Sequence, residues 1–199
     1  MKAIVFDLGD VLVRWEAWRA FAPALGGDRA AAEAFMERVD FPTLNLRCDG
    51  GECFADLAAR IADPADAALL AAYVPNYAAT LPEAIEGTWA LMERLRAKGL
   101  QIHAITNWSA ETWPIGVATH PRLGTAFGVT IVSGQEGLLK PDPRIYHLLC
   151  DRAGLRPADC LFIDDRAKNV EGARAIGMAA VQFTSPEVLE TDLQAMGLL

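Results

Sequence analysis

Ala3-Ile4-Val5-Phe6-Asp7-Leu8-Gly9-Asp10-Val11-Leu12 decides how the rest of the chain is read. Four apolar residues run straight into a carboxylate, without the alternation of a strand that has one wet face. A short continuous apolar run fits a strand covered on both sides, as in a parallel sheet between helices. Asp7 then stands at the carboxyl end of that strand, where open α/β sheets bind their ligands.

Four further runs of this kind follow, at residues 102–105, 129–132, 161–163 and 179–181. Helical stretches separate them. Residues 88–98 space Trp89, Met92 and Leu95 along one face and stop at Gly99. Residues 143–152 begin on a proline and end before Gly154, and residues 166–176 end at Gly177. The alternation predicts an α/β fold with a doubly wound, mainly parallel, Rossmann-like sheet.

The first connection is much longer than a crossover needs, about 95 residues from Phe6 to Ile102. Residues 16–24, 29–39, 52–61 and 65–78 read as helices. Gly26-Gly27, residues 42–51 and Asp63-Pro64 read as breaks between them. The expected organisation is a catalytic α/β core from residues 1–14 and 81–199, with residues 15–80 inserted as a small helical cap.

The strand ends carry the chemistry. Asp7 follows the first strand, Thr106-Asn107 the second and Lys140 the third, while Asp164-Asp165 follows the fourth, with Asn169 four residues beyond Asp165. Singly, each is an ordinary helix cap, solvated turn or surface charge. Delivered to one edge of a sheet, the carboxylates repel one another unless a cation compensates them, which marks a functional site. Asp7, Asp165 and the backbone carbonyl of Gly9 supply hard oxygens suited to Mg2+. Lys140 and Thr106 suit phosphoryl oxygens, and Asp7 suits attack on phosphorus to give an aspartyl-phosphate.

Composition narrows the partners. The 199-residue chain is 52% apolar and 22% charged, with a net charge of -8 and no basic run. Nucleic acid and anionic membranes are therefore poor partners, whereas a small phosphorylated metabolite needs only a local lysine and helix N-termini. No apolar stretch reads as a secretory signal or a membrane span, and none of the four cysteines forms a CxxC pair. A reduced, cytoplasmic protein is expected. The sequence names no protein partner.

The ordered motifs resemble those of the haloacid dehalogenase superfamily, in the branch with a small helical cap after the first strand. FDLGDVL is similar to its first motif, ITNWS to its second, LLKPDPRIY to its third and FIDDRAKNVEGARAIG to its fourth. The resemblance implies that Asp7 is the nucleophile and Thr106 the phosphate-binding hydroxyl. It makes Asn107 a neighbouring substrate contact, Lys140 the catalytic lysine and Asp165 the principal metal ligand, with Asp164 as its acidic neighbour. FDLGDVL and residues 46–54 are also similar to sugar-phosphatase-like members. The implied activity is Mg2+-dependent hydrolysis of a small phosphate monoester, with sugar phosphates among the candidates.

Gly9 departs from the pattern. Phosphatases of this superfamily typically carry a second aspartate there, to protonate the leaving alkoxide and later activate water. Three readings stay open. Asp10, one position further on, takes over the proton transfer. Alternatively the chain is a metal-independent 2-haloacid dehalogenase, with Arg14 on the substrate carboxylate, or a catalytically weak protein that binds phosphorylated metabolites. Asp164-Asp165 weighs against the dehalogenase, because extra carboxylates near Asp7 repel an anionic haloacid. Asn169 is read as support for Lys140 or the metal shell, His103 as a packed core histidine, and Tyr146 as a packing or hydrogen-bonding residue.

Overall fold

A computed structural model describes the whole chain, Met1 to Leu199. Five strands form one parallel sheet: β1 (Ala3–Phe6), β2 (Gln101–Thr106), β3 (Thr130–Val132), β4 (Cys160–Asp164) and β5 (Ala179–Gln182), in the order β3-β2-β1-β4-β5. The doubly wound parallel architecture expected from the apolar runs is present.

Why those runs lack alternation is visible in the packing. Ile4 and Phe6 of β1 point into one core with Ile102, Ala104, Leu161 and Ile163. Ala3 and Val5 point into a second core with Ile105, Cys160 and Phe162. Neighbouring side chains leave opposite faces of a strand, and here both faces are dry. Ten α-helices accompany the strands: α1 (Arg29–Arg38), α2 (Phe41–Asp49), α3 (Phe54–Ala58), α4 (Pro64–Ala71), α5 (Glu86–Ala97), α6 (Trp113–Thr119), α7 (Ser133–Glu136), α8 (Pro143–Ala153), α9 (Ala167–Ala175) and α10 (Pro186–Ala195). Buried residues of α5 and α10 join the first core, and those of α8 and α9 join the second.

The chain runs outward from β1 through β2 to β3, then returns to place β4 on the other side of β1. This reversal opens a crevice beyond the carboxyl ends of β1 and β4. The segment between β1 and α5 leaves and returns along a narrow neck. Val13 pairs antiparallel with Ala84, Ile85 N donates to Leu12 O at 2.8 Å, and Glu16 N donates to Thr80 O at 2.8 Å. Beyond the neck, Phe21, Phe35, Phe41, Phe54, Tyr73 and Tyr77 cluster edge-to-face and stacked around fully buried Tyr73. Aromatic packing of this kind gives four short helices a core that their length alone would not supply.

Several local expectations need correction. Residues 42–51 are not a break, because α2 occupies Phe41–Asp49. Pro42 sits in its first turn, where no backbone donor is required, and Phe41 and Cys48 share a buried face. Residues 16–24 form two 3-10 turns rather than a helix, because Pro23 lacks the donor that a continuous helix needs. The helix expected over 65–78 ends at Ala71, ahead of Pro75, and that over 52–61 contracts to α3. Helix α10, which had no counterpart in the sequence reading, starts on Ser185, whose side chain accepts from Val188 N. No helix is long and apolar enough to cross a membrane.

Candidate active site

Asp7 lies one residue beyond β1 and is 7% exposed. Its backbone N–H extends the ladder by donating to Ile163 O at 2.8 Å, and Leu8 N donates to its Oδ1 at 2.7 Å. Lys140, 2% exposed, reaches the same carboxylate oxygen with Nζ at 2.8 Å. Its other acceptors are Asp164 Oδ2 at 2.7 Å and Ile105 O at 3.1 Å. An ammonium has three donors, and all three are matched.

The surroundings hold this lysine rigidly. Asn107 clamps its backbone from both sides, donating to Lys140 O at 3.1 Å and accepting from Lys140 N at 2.8 Å. Asp164 is fully buried and accepts from Lys140, from Arg166 N at 2.8 Å and from Asn169 Nδ2 at 2.9 and 3.1 Å. Tyr146 donates to Asn169 O at 2.9 Å, so its hydroxyl is structural.

Electrostatics follow from this packing. Burial pushes Asp7 well above the usual carboxylate range; Lys140 pulls it down, but the neighbouring Asp164 pushes it up again. Burial works against the charge on Lys140, yet Asp7 and Asp164 outweigh it and raise the lysine. Burial also acts to raise Asp164, but the Lys140 charge and the hydrogen bonds it receives hold it below the ordinary value. Burial and the Asp164 charge raise Asp165. One lysine thus faces three carboxylates, leaving Asp7 and Asp165 with more negative charge than it neutralises.

A metal fits this deficit. Oxygens of Asp7, Asp164 and Asp165 lie within 4.8 Å of one another. Those of Asp164 are already saturated, so Asp7 and Asp165 are the hard donors available. The buried Oδ1 of Asn169, which also lines the crevice, has no hydrogen-bond partner. Such a donor set matches Mg2+, which takes one or two carboxylates and leaves its remaining positions to water and phosphate.

The crevice is a cavity of about 620 Å3, lined on one side by Asp7, Gly9, Asp10, Thr106, Asn107, Lys140, Asp165 and Asn169. The opposite wall comes from the inserted segment, including Trp15, Trp18, Phe41, Asn45, Asp49 and Tyr77. Asp164 stands behind this surface, against Lys140. Asp10 takes a left-handed conformation with φ of 55° and accepts from Trp15 N through Oδ1 at 3.1 Å. Arg14 lies at the neck, exposed beside Glu83 at 3.9 Å, and is not part of the cavity wall. Buried His103 accepts from Val129 N at 3.0 Å through Nδ1, as a neutral core histidine does.

The sequence reading assigned Asp49 and Arg166 no role of their own and did not point to Trp15 and Trp18, which join Trp108 on the cavity wall. Asp49 ends α2, where the helix dipole disfavours an anion. With residues 42–51 read as a break, no helix end marked it in the sequence. It is 8% exposed, and Asn45 Nδ2 donates to its Oδ2 at 2.9 Å. Burial pushes it up to about 7, against the pull of the Arg166 charge, the Ser109 amide and Lys140.

Residues 1–177 match the haloacid dehalogenase-like hydrolase family. The chain is 34% identical over 114 residues to flavin mononucleotide hydrolase 1 of Arabidopsis thaliana, covering 57% of this chain and 46% of that protein. It is 36% identical over 89 residues to a phosphatase of Mycobacterium tuberculosis, covering 45% and 41%. The chain therefore spans less than half the length of these curated relatives. A haloacid dehalogenase family enzyme of Bacteroides thetaiotaomicron, solved with magnesium and inorganic phosphate, superposes with a TM-score of 0.71 at 17% identity, over 93% of this chain and 95% of that one. With its signature stretches set at the strand ends of this fold, the chain belongs to the haloacid dehalogenase-like hydrolases.

Proposed function

We propose that the protein is a Mg2+-dependent phosphatase acting on phosphate monoesters of small metabolites, with Asp7 as nucleophile. The observation that carries this reading is the trio of Asp7, Asp164 and Asp165 around the single buried Lys140. Phosphatase chemistry needs a cation at this place, and the uncompensated carboxylates supply its ligands. Asp7, Asp165 and the Gly9 carbonyl would hold Mg2+, which when bound neutralises phosphoryl oxygens.

The residues of the chain then divide the work. Leu8 N and Lys140 Nζ hold Asp7 Oδ1, which leaves Oδ2 to attack phosphorus in line. Thr106 offers a hydroxyl donor to the transferring phosphoryl group, and Lys140, its three donors already engaged, supplies positive charge beside it. Asn107 keeps Lys140 in place through its backbone, and Asp164 with Asn169 holds its ammonium. The inserted segment, taken as a cap over residues 15–80, would exclude bulk water from the aspartyl-phosphate.

The cavity volume is that of a site for a metabolite rather than a macromolecule. Trp15, Trp18, Phe41, Tyr77 and Trp108 on its wall favour a substrate with a flat or apolar face. The activity named for the Arabidopsis relative makes flavin mononucleotide a natural first substrate, beside sugar phosphates. Free thiols at all four cysteines support a reducing, cytoplasmic setting. The dehalogenase reading is weaker, because Arg14 is off the cavity and the acidic cluster repels a haloacid.

Two assays on the purified protein test the proposal. An aryl phosphate should be hydrolysed with Mg2+, lost with chelator and lost in Asp7→Asn. Metal-independent halide release from a 2-haloacid, without phosphatase activity, would overturn it.

A further inference from the structure

We infer that Asp49 of the inserted segment is the acid-base group of the reaction, delivering a proton to the leaving oxygen from the cap side of the cavity. This rests on the phosphatase reading.

Gly9, where a carboxylate two residues after the nucleophile would stand, lines the cavity bare. A Cβ added there would meet nothing within 4 Å. Asp10 lines the same wall but is engaged in its turn, one oxygen accepting the Trp15 amide and the backbone held at a φ of 55°. Asp49 faces the cavity from the opposite wall, where the leaving group must lie if phosphorus sits against Asp7 and Lys140.

Its placement is built. Ser133 Oγ, which receives Trp108 N at 2.9 Å, donates to Asp49 O at 2.6 Å, tying the end of α2 to the core. Asn45 fixes one carboxyl oxygen. The other groups around it are known: Arg166 and Lys140 from the core, the Ser109 amide, and Tyr73, Tyr77 and Cys48 within the inserted segment. Burial outweighs the two cations, so the carboxyl titrates at about 7 rather than 3.8. An acid that is half protonated near neutrality both gives and takes a proton efficiently.

The balance is simple. As Asp7 Oδ2 bonds to phosphorus and the ester P–O bond breaks, the Asp49 proton moves to the departing alkoxide, releasing an alcohol. The Asp49 carboxylate then accepts a proton from water as that water attacks phosphorus. The bond from phosphorus to Asp7 breaks, inorganic phosphate leaves, and both aspartates return to their starting states.

The test compares wild type, Asp49→Asn and Asp10→Asn on p-nitrophenyl phosphate and on a simple alkyl phosphate, with Mg2+, by rapid mixing. Nitrophenolate leaves without a proton and an alkoxide does not. In Asp49→Asn, first-turnover release of nitrophenolate should stay within a few-fold of wild type, while alkyl turnover falls about 100-fold or more. Wild-type alkyl turnover should decline above about pH 7, a limb absent from the variant. Equal losses on both esters, or a raised KM at unchanged kcat, would make Asp49 a binding residue and overturn the inference. A selective alkyl loss in Asp10→Asn instead would assign the proton to Asp10. Wild type inactive on both esters would remove the phosphatase reading itself, and this inference with it.

Discussion

Replacing Asp49 by asparagine should make the protein more stable above neutral pH, and the size of the effect follows from its burial. The carboxyl is held at about 7 against an ordinary 3.8. A group that binds its proton more tightly in the folded chain contributes stability below its unfolded pKa, and that contribution disappears as pH rises through the folded value. Between about pH 4 and pH 7, wild type should therefore lose roughly 1.4 kcal/mol per pH unit from this one side chain, about 4 kcal/mol in all. Asparagine has the same shape, keeps an oxygen for the Asn45 amide and does not titrate. Water entering the cavity would relieve part of the burial, so roughly 2–4 kcal/mol is the expected gain at pH 8. Urea denaturation of both proteins from about pH 4 to 8 measures it, with the variant's advantage near zero at the acid end and growing through neutrality. A difference that is flat across this range, or that favours wild type at pH 8, would refute the reasoning. The carboxyl would then be solvated and ordinary.

Four other perturbations test separate parts of the site. Lys140→Met leaves Asp7 and Asp164 buried without their cation, and should cost about 3–5 kcal/mol in denaturant unfolding at neutral pH. Asp165→Asn should raise the Mg2+ concentration needed for half-maximal aryl phosphate hydrolysis at least tenfold, with activity partly recovered in excess Mg2+. Ser133→Ala removes the hydroxyl between Trp108 N and Asp49 O, and should cost about 1–3 kcal/mol by thermal unfolding and lower kcat more than KM. Gly9→Asp has room for its Cβ but adds a carboxylate to the acidic cluster, so it should lower stability in chelator more than in Mg2+ by thermal unfolding, and should restore alkyl phosphate turnover to Asp49→Asn.

What the linear sequence determined was the sheet and which residues meet at its carboxyl edge. A strand buried on both faces is written as an unbroken apolar run, so β1 through β5 could be located to within a residue or two. Asp7, Thr106, Asn107, Lys140 and Asp165 were legible because each lies at the end of a strand or in the connection after it, and parallel strands bring those positions to one edge. Only the tertiary structure decided how the charges are shared. Asp164 and Asp165 are neighbours in sequence, yet one turns inward to hold Lys140 and the other faces the cavity. Asn107 grips the backbone of a residue that arrives from a different loop. Asp49 was the least legible of all. Its helix was obscured by Pro42 and by Gly50-Gly51, and its chemistry arises only where the inserted segment folds back over the strand ends. A carboxyl acquires its pKa from the groups packed around it, and those around Asp49 come from segments scattered along the chain and meet only in the folded molecule.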